Sequence, residues 1–171
     1  MPLPFAHGLV GAGVVAALHP NPSRRRFAPL VFGALLANCA DLDFALVFLA
    51  HDRSYHRGFT HSLAFALALC VAMLALSGRA RLREALAYGL AYGSHALLDY
   101  STTKFGGGVE LLWPFSAERF GLGFVGLSEL PSRMPRVGVL KAALLEIILF
   151  APLLACVLLA RRLMRSPRET E

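Results

Sequence analysis

The residues of this chain that can do acid–base or metal chemistry are mainly six histidines and four aspartates. Nine of these ten are expected near the same end of the apolar segments described below, and His19 alone is expected at the other end. Imidazole and carboxylate groups are ligands for divalent metal ions, so their convergence predicts a metal site. The nine residues are His7, Asp41, Asp43, His51, Asp52, His56, His61, His95 and Asp99.

Two motifs place such residues at spacings that suit a shared ion. His95 and Asp99, in HALLD, are four residues apart and therefore lie on one face of a helix. His56 and His61, in HRGFTHS, are separated by a glycine and a helix start, which allows both imidazoles to turn towards one site. Taken alone, the first pair is better explained as a histidine held by its carboxylate, and the second as interfacial histidines. Their convergence favours the metal site.

Two aspartates lie inside an otherwise apolar run, in CADLD. Ionisable side chains within a membrane span cost about 2.5–3.5 kcal/mol each on insertion scales, so each is a functional candidate. Asp41 and Asp43 are two residues apart, and a regular helix would point them to opposite sides. One would then bind the ion while the other orients a partner or meets water. We choose Asp41 as a ligand that also serves as general base, with Asp43 as the alternate catalytic residue.

Imidazole and carboxylate ligands together suit zinc best, with manganese as the alternative. Thiolates are not expected to take part, because the three cysteines lie far apart inside apolar runs. One catalytic zinc uses three or four ligands, so the larger set predicts one or two ions or an outer layer of orienting residues. The predicted metal ligands are His7, Asp41, His56, His61, His95 and Asp99.

Arg57 lies within the HRGFTHS motif and is the predicted substrate-binding residue. Its guanidinium can form paired hydrogen bonds with an anion such as a phosphate. The alternative, an arginine whose side chain reaches the membrane interface, is about equally favoured by the sequence.

The composition indicates that these residues belong to a membrane protein. Of 171 residues, 56% are hydrophobic and 16% charged, against about 45–50% and about 25% in soluble domains. Mean hydropathy is +0.57. These values exclude intrinsic disorder, a disulfide scaffold and an ordinary soluble enzyme. They predict a single membrane-embedded domain over residues 1–171.

Five apolar segments are separated by charged or helix-breaking stretches, and each predicts a transmembrane helix of an all-α bundle. Ten of the 17 Lys and Arg residues lie in loops on one face and six on the other. The positive-inside rule makes the richer face cytoplasmic, so we expect the N-terminus outside and the C-terminus inside. The segments are Leu3–Leu18, Phe27–Ala50, Ser62–Ser77, Glu84–Tyr100 and Val139–Ala160.

The motifs HRGFTHS and HALLDYSTTKFGGGVELLWPFS resemble the YdjM-like family, inner-membrane-associated metal-dependent hydrolases described as LexA-binding. His7 in AHGLVGA and the aspartates of CADLD fall where that family carries histidine and acidic positions. The resemblance covers roughly residues 5–120. It implies a multi-pass protein of the cytoplasmic (inner) membrane with a metal-dependent hydrolase activity.

The order of these residues is also distantly similar to the zinc-dependent phospholipase C and P1-nuclease superfamily. That likeness implies that the metal ligands are His7, Asp41, His61 (or His56), His95 and Asp99. The superfamily has further histidine ligands after its HxxxD motif, whereas His95 is the last histidine of this chain. One or two ions are therefore expected rather than three.

Together these observations predict an integral-membrane hydrolase that cleaves a phosphoester or related ester bond at the extracytoplasmic face, with lipid substrates included. Metal-ion or proton transport is the first alternative, but transporters usually gather ionisable groups near the midplane and show inverted repeats. A non-catalytic membrane adaptor with a structural metal is the second. Membrane lipids are the expected partners, and the absence of nucleotide or nucleic-acid motifs predicts no direct nucleic-acid binding.

Overall fold

The computed structural model describes residues 2–20, 27–103, 107–124 and 136–165. Throughout these ranges the regular structure is helical, which confirms the predicted all-α class. A single antiparallel pairing between Val109 and Phe120 is isolated and forms no strand. The helices are α1 (Pro4–Leu18), α2 (Ala28–Asn38), α3 (Phe44–Ala50), α4 (Leu63–Ser77), α5 (Leu82–Thr102) and α6 (Arg136–Arg165).

Two stretches of the described chain are long and apolar enough to cross a membrane, namely Ala28–Ala50 and Gly138–Met164. A third crossing results if Arg53–His61 and Leu63–Ser77, which are bent by 53° relative to each other, form one span. Helix α1 is apolar but has only 15 residues. By length and composition the described chain therefore has two or three candidate spans, compared with the five that the sequence predicts.

The second apolar segment is one continuous helix in the sequence prediction, but the structure interrupts it. Between α2 and α3 the chain tightens into a 3₁₀ helix over Cys39–Asp43, which contains both aspartates of CADLD. Aspartate side chains compete with the backbone for hydrogen bonds, and short 3₁₀ segments inside helices often mark functional positions. The tighter winding sets the directions in which Asp41 and Asp43 point.

Helix α1 is the centre of the bundle and packs against α2, α5 and α6. Small residues let α1 and α2 approach closely: a Cβ atom added to Gly11 would overlap the side chain of Ala37 and the carbonyl of Gly33. Such close contact between small residues is a common way for helices to pack in membranes, where no hydrophobic effect drives them together. It brings the first turns of α1 next to the end of α2, where the aspartates lie.

Helix α6 is joined to both ends of α1 by charged side chains. The Glu146 carboxylate accepts hydrogen bonds from the backbone N–H of Leu3 at 2.5 Å and of Ala6 at 3.1 Å. Near the opposite end, the Arg161 guanidinium donates to the carbonyls of Ala16 and His19. Helices α1 and α6 therefore run parallel to each other.

Two loops pack together over the end of the bundle that holds the aspartates. Arg119 binds Glu110 at 3.0 Å and donates to the carbonyls of Ser54 and His56, so that it links the loop after α5 to the loop after α3. The backbone N–H of Glu110 donates to the carbonyl of Arg57 at 3.0 Å. These bonds fix the HRGFTHS segment against the helices.

Candidate metal centre

Three side chains from three different elements meet at the end of the bundle. Asp41 comes from the 3₁₀ turn, His61 from the short turn before α4, and His95 from α5. The Nε2 atoms of the two histidines are 3.0 Å apart, and Asp41 Oδ1 lies 3.7 Å from His61 Nε2 and 3.5 Å from His95 Nε2. Ligands of a tetrahedral zinc ion lie about 3.3–3.6 Å apart, given bonds of about 2.0–2.2 Å. The three atoms are therefore spaced as ligands of one ion.

Asp99 and His7 lie against one side of these three atoms. Asp99 Oδ2 is 3.8 Å from His61 Nε2 and 4.0 Å from His95 Nε2, while Asp99 Oδ1 is 3.5 Å from His7 Nε2. The His7 ring stacks on the His95 ring with centroids 3.7 Å apart. His7, His95 and Asp99 thus form a second group with ligand spacing that shares His95 with the first.

The hydrogen bonds around the two central imidazoles determine which nitrogens are free. His95 Nδ1 lies 2.6 Å from the carbonyl oxygen of Ala37, and since a carbonyl only accepts, Nδ1 carries the proton. The Thr60 hydroxyl donates to Asp43, so its oxygen accepts from His61 Nδ1 at 3.1 Å. In neutral rings both Nε2 atoms then present lone pairs. Two lone pairs 3.0 Å apart repel, so a cation, either a metal ion or a proton, must lie between them.

Several buried polar atoms of this site have no hydrogen-bond partner among the described residues. They are both ring nitrogens of His7, Oδ1 of Asp41, both carboxylate oxygens of Asp99 and Nε of Arg57. A buried polar atom without a partner costs about 1–3 kcal/mol, and more when it is charged. Such atoms are rare in native proteins, and an ion is one of the explanations for them. The donor set and these atoms fit a divalent metal ion.

Asp43 has a different environment from Asp41. Its two oxygens lie within reach of His56 Nδ1 at 3.0 Å, the Arg57 backbone N–H at 2.9 Å, the Thr60 hydroxyl at 3.1 Å and His61 Nδ1 at 3.3 Å. This contact with a ring nitrogen of His61 is the arrangement in which a carboxylate orients a metal-binding histidine. Both aspartates therefore contact His61, Asp43 at Nδ1 and Asp41 at Nε2.

His56, another predicted ligand, is held by its neighbours Asp43 and Phe44. Its Nδ1 is held by Asp43, and its ring stacks on Phe44 with centroids 4.0 Å apart. The Asp41, Asp43 and His56 side chains still form a third group with ligand spacing. Because the three groups share members, they can hold one ion or two neighbouring ions.

Arg57 is 6% exposed, and its Nε lies 3.3 Å from Asp99 Oδ2. Its backbone φ is +61°, which is uncommon for a residue other than glycine. The bonds from its N–H to Asp43 and from Glu110 to its carbonyl hold it in this conformation. Backbone strain of this kind costs about 1–3 kcal/mol and is concentrated at functional sites.

Not all nine residues of the sequence prediction meet. The structure brings His7, Asp41, Asp43, His56, His61, His95 and Asp99 together. His51 and Asp52 are exposed in the loop after α3, and the Asp52 carboxylate instead accepts from the Ser54 backbone. These two were not among the predicted metal ligands, and the structure leaves them outside the three groups with ligand spacing.

Two residues of the site were missed in the sequence. Thr60 connects Asp43 to His61, and its position inside HRGFTHS was the available signal. Glu146 is 2% exposed and holds the first turn of α1, which carries His7. The sequence offered a sign of Glu146, because this carboxylate lies within an otherwise apolar segment. The same feature identified Asp41 and Asp43 as candidates.

Comparison with known proteins shows the family to which the chain belongs. The model of a family described as YdjM inner membrane protein matches residues 1–166. Inner membrane protein YbcI of Escherichia coli (strain K12) is 38% identical over 126 residues, which are 70% of this chain and 72% of that relative. No solved structure is significantly similar. We conclude that the chain belongs to the YdjM family and is a protein of the inner membrane.

Proposed function

We propose that this protein is an integral-membrane metal-dependent hydrolase that cleaves a phosphoester or related ester bond. The observation that carries the proposal is the cluster of Asp41 Oδ1, His61 Nε2 and His95 Nε2, three buried donor atoms within ligand distance of one another. Three protein ligands leave a coordination position for water, which is typical of catalytic rather than structural zinc.

Zinc is the proposed ion, with manganese as the alternative, and Asp41, His61 and His95 would hold it. Asp99 and His7 would bind the same ion or a second one beside it. A divalent ion in such a site lowers the pKa of water and stabilises the negative charge of a transition state.

The protein's own groups have distinct roles in this proposal. The Asp41 side chain is 18% exposed, whereas that of Asp43 is fully buried and accepts from several donors. This difference favours Asp41 as the general base and leaves Asp43 to orient His56 and His61. Arg57 is proposed to bind the anionic group of the substrate.

We further propose five membrane crossings in one domain over residues 1–171, with the N-terminus outside. Because α1 and α6 run parallel, the crossings that follow α1, with α6 included, are even in number. Five crossings in total meet this condition. The site then opens to the extracytoplasmic face, because the first turn of α1 and the last turns of α5 both lie at that end.

The test is the metal content of detergent-purified protein, measured beside the variants His95→Ala and Asp99→Ala. We expect about one or two equivalents of zinc in the wild type and a large loss in both variants. His51→Asn is the matched control, since it changes an exposed histidine and asparagine tolerates a positive φ. Equal and negligible metal in all four proteins would refute the metal site and the hydrolase proposal together.

Turnover separates the enzyme from its alternatives. The loaded protein is expected to hydrolyse a soluble phosphodiester such as bis(p-nitrophenyl) phosphate or a dispersed phospholipid, and the His95→Ala variant is not. Bound metal without turnover of either substrate would instead favour an adaptor with a structural ion. Uptake of metal into vesicles would favour a transporter.

A further inference from the structure

The loop after α5 carries an uncharged segment, LLWPF at residues 111–115, much of which lies on the surface. The side chain of Phe115 is 93% exposed, that of Leu112 47% and that of Trp113 39%. Exposed apolar patches of this kind mark contact with another protein or with a membrane. The charged neighbour of the segment, Glu110, is paired with an arginine at 3.0 Å. The exposed face of LLWPF is therefore apolar and carries no charge of its own.

The backbone N–H groups at the tip of this segment are satisfied within the loop. The Trp113 N–H donates to the Glu110 carbonyl at 3.2 Å. The Phe115 N–H donates to the Leu112 carbonyl at 2.9 Å, and Pro114 has no N–H to satisfy. Backbone groups that meet lipid must be paired internally, because hydrocarbon offers them no partner. The tip of the segment therefore leaves water without exposing an unpaired N–H group.

The segment is attached to the end of a candidate membrane span. Leu63, the first residue of α4, donates its N–H to the Leu111 carbonyl at 3.1 Å. The centroids of the Trp113 and Phe59 rings are 5.7 Å apart, and Phe59 also contacts the ring of Phe65 in α4. Helix α4 belongs to the bent candidate span of this inner membrane protein. LLWPF therefore lies beside the level at which α4 meets the surface of the bilayer.

We propose that LLWPF is an interfacial anchor, whose Trp113 and Phe115 side chains enter the lipid leaflet at the end of the bundle that holds the site. Tryptophan is concentrated at this level of membranes, because its ring is apolar while its N–H still reaches water or headgroups. Continuity with α4 favours lipid over a protein partner. The lack of charge on the exposed face means that the contact needs no particular headgroup charge.

The anchor is connected to the candidate metal centre by a backbone hydrogen bond. Glu110, which precedes the segment, donates its N–H to the Arg57 carbonyl at 3.0 Å. The Arg57 side chain in turn lies 3.3 Å from Asp99. A leaflet that holds LLWPF therefore also holds the HRGFTHS segment, and with it the centre, close to the depth of the lipid headgroups. This contact requires neither a bound ion nor turnover, so it is independent of the proposed hydrolase function.

The test is fluorescence quenching, because Trp113 is the single tryptophan of the chain. The wild-type protein is reconstituted in vesicles of phosphatidylcholine that carries bromine near either the carbonyl end or the methyl end of its acyl chains. We expect bromine near the carbonyl end to remove about half of the emission, because interfacial indoles lie at that depth. Bromine near the methyl end, and iodide on both sides of the membrane, should quench much less. Adding phosphatidylglycerol should leave the quenching unchanged.

Two variants that move the tryptophan complete the test, each made in a Trp113→Phe background. Phe115→Trp places the indole at the most exposed position of the segment and should be quenched by brominated lipid at least as strongly as the wild type. Glu118→Trp is the matched control, since it replaces an exposed charged residue of the same loop, and it should be quenched by iodide instead.

Two results would overturn the anchor. Quenching by iodide rather than by bromine, in both the wild type and the Phe115→Trp variant, would place the segment in water. Quenching by neither would show that protein covers the segment, as in contact with a second copy of the chain. Quenching by brominated lipid in a protein without bound metal or turnover would support the anchor even though the hydrolase function failed.

Discussion

Zinc should stabilise the wild-type protein against heat, and the His95→Asn variant should lose this effect. In the absence of an ion, His61 Nε2 and His95 Nε2 face each other at 3.0 Å beside the partly buried Asp41 and the buried Asp99 carboxylates, so the metal-free site is electrostatically unfavourable. An ion that binds only the folded protein stabilises it by mass action. His95 belongs to two of the three ligand groups, so its loss affects both of them.

The magnitude follows from the ligand concentration. At a free zinc concentration 100 times the Kd, the folded state gains about 2.7 kcal/mol. In a chain of this size each kcal/mol raises Tm by about 2–4 °C, which predicts an increase of about 5–11 °C. A variant that binds about a thousandfold more weakly gains less than about 0.1 kcal/mol at the same zinc concentration and should show no measurable shift.

The assay is thermal unfolding in dodecyl maltoside, followed by circular dichroism with zinc and with EDTA. His51→Asn is the control, because it removes an exposed histidine outside the site and should keep the full shift. The same shift in the wild type and in His95→Asn would refute the argument, since the stabilisation would then come from zinc bound elsewhere. A wild type without any shift would also refute it, and would indicate that a proton bridges the two rings.

Three further predictions concern individual side chains. Asp43→Asn should weaken zinc binding by about 10–100-fold in a chelator competition assay, because the amide orients His61 less well than the carboxylate. Glu146→Ala should lower the free energy of unfolding by about 1.5–3 kcal/mol, because two backbone N–H groups of α1 lose a charged acceptor. Ser54→Cys should react with a membrane-impermeant maleimide from the extracytoplasmic side and not from the cytoplasmic side.

Each of these has a control or a contradicting result. Asp52→Asn changes an exposed aspartate near the same loop and should leave zinc affinity unchanged. Glu146→Gln keeps an acceptor and should lose less stability than Glu146→Ala. Labelling of the Ser54→Cys variant from the cytoplasmic side alone would reverse the proposed orientation.

Much of the fold class and of the site was accessible from local sequence patterns. The excess of apolar residues predicts a helical membrane protein, since only helices and closed barrels satisfy every backbone group in lipid. The scarcity of polar residues made Asp41, Asp43 and Asp99 conspicuous, because each is costly to place in an apolar segment. The four-residue spacing of His95 and Asp99 shows which residues share a helix face.

The sequence by itself therefore determined the membrane class, the helical architecture and the set of residues that can bind metal, because these depend on composition and local spacing. Only the tertiary structure decided which nitrogens of His61 and His95 face each other, that Asp43 contacts Nδ1 of His61 while Asp41 contacts Nε2, and that Glu146 holds α1. Those outcomes depend on contacts between residues up to 143 positions apart. Periodicity describes one helix at a time and carries no information about which helices pack together.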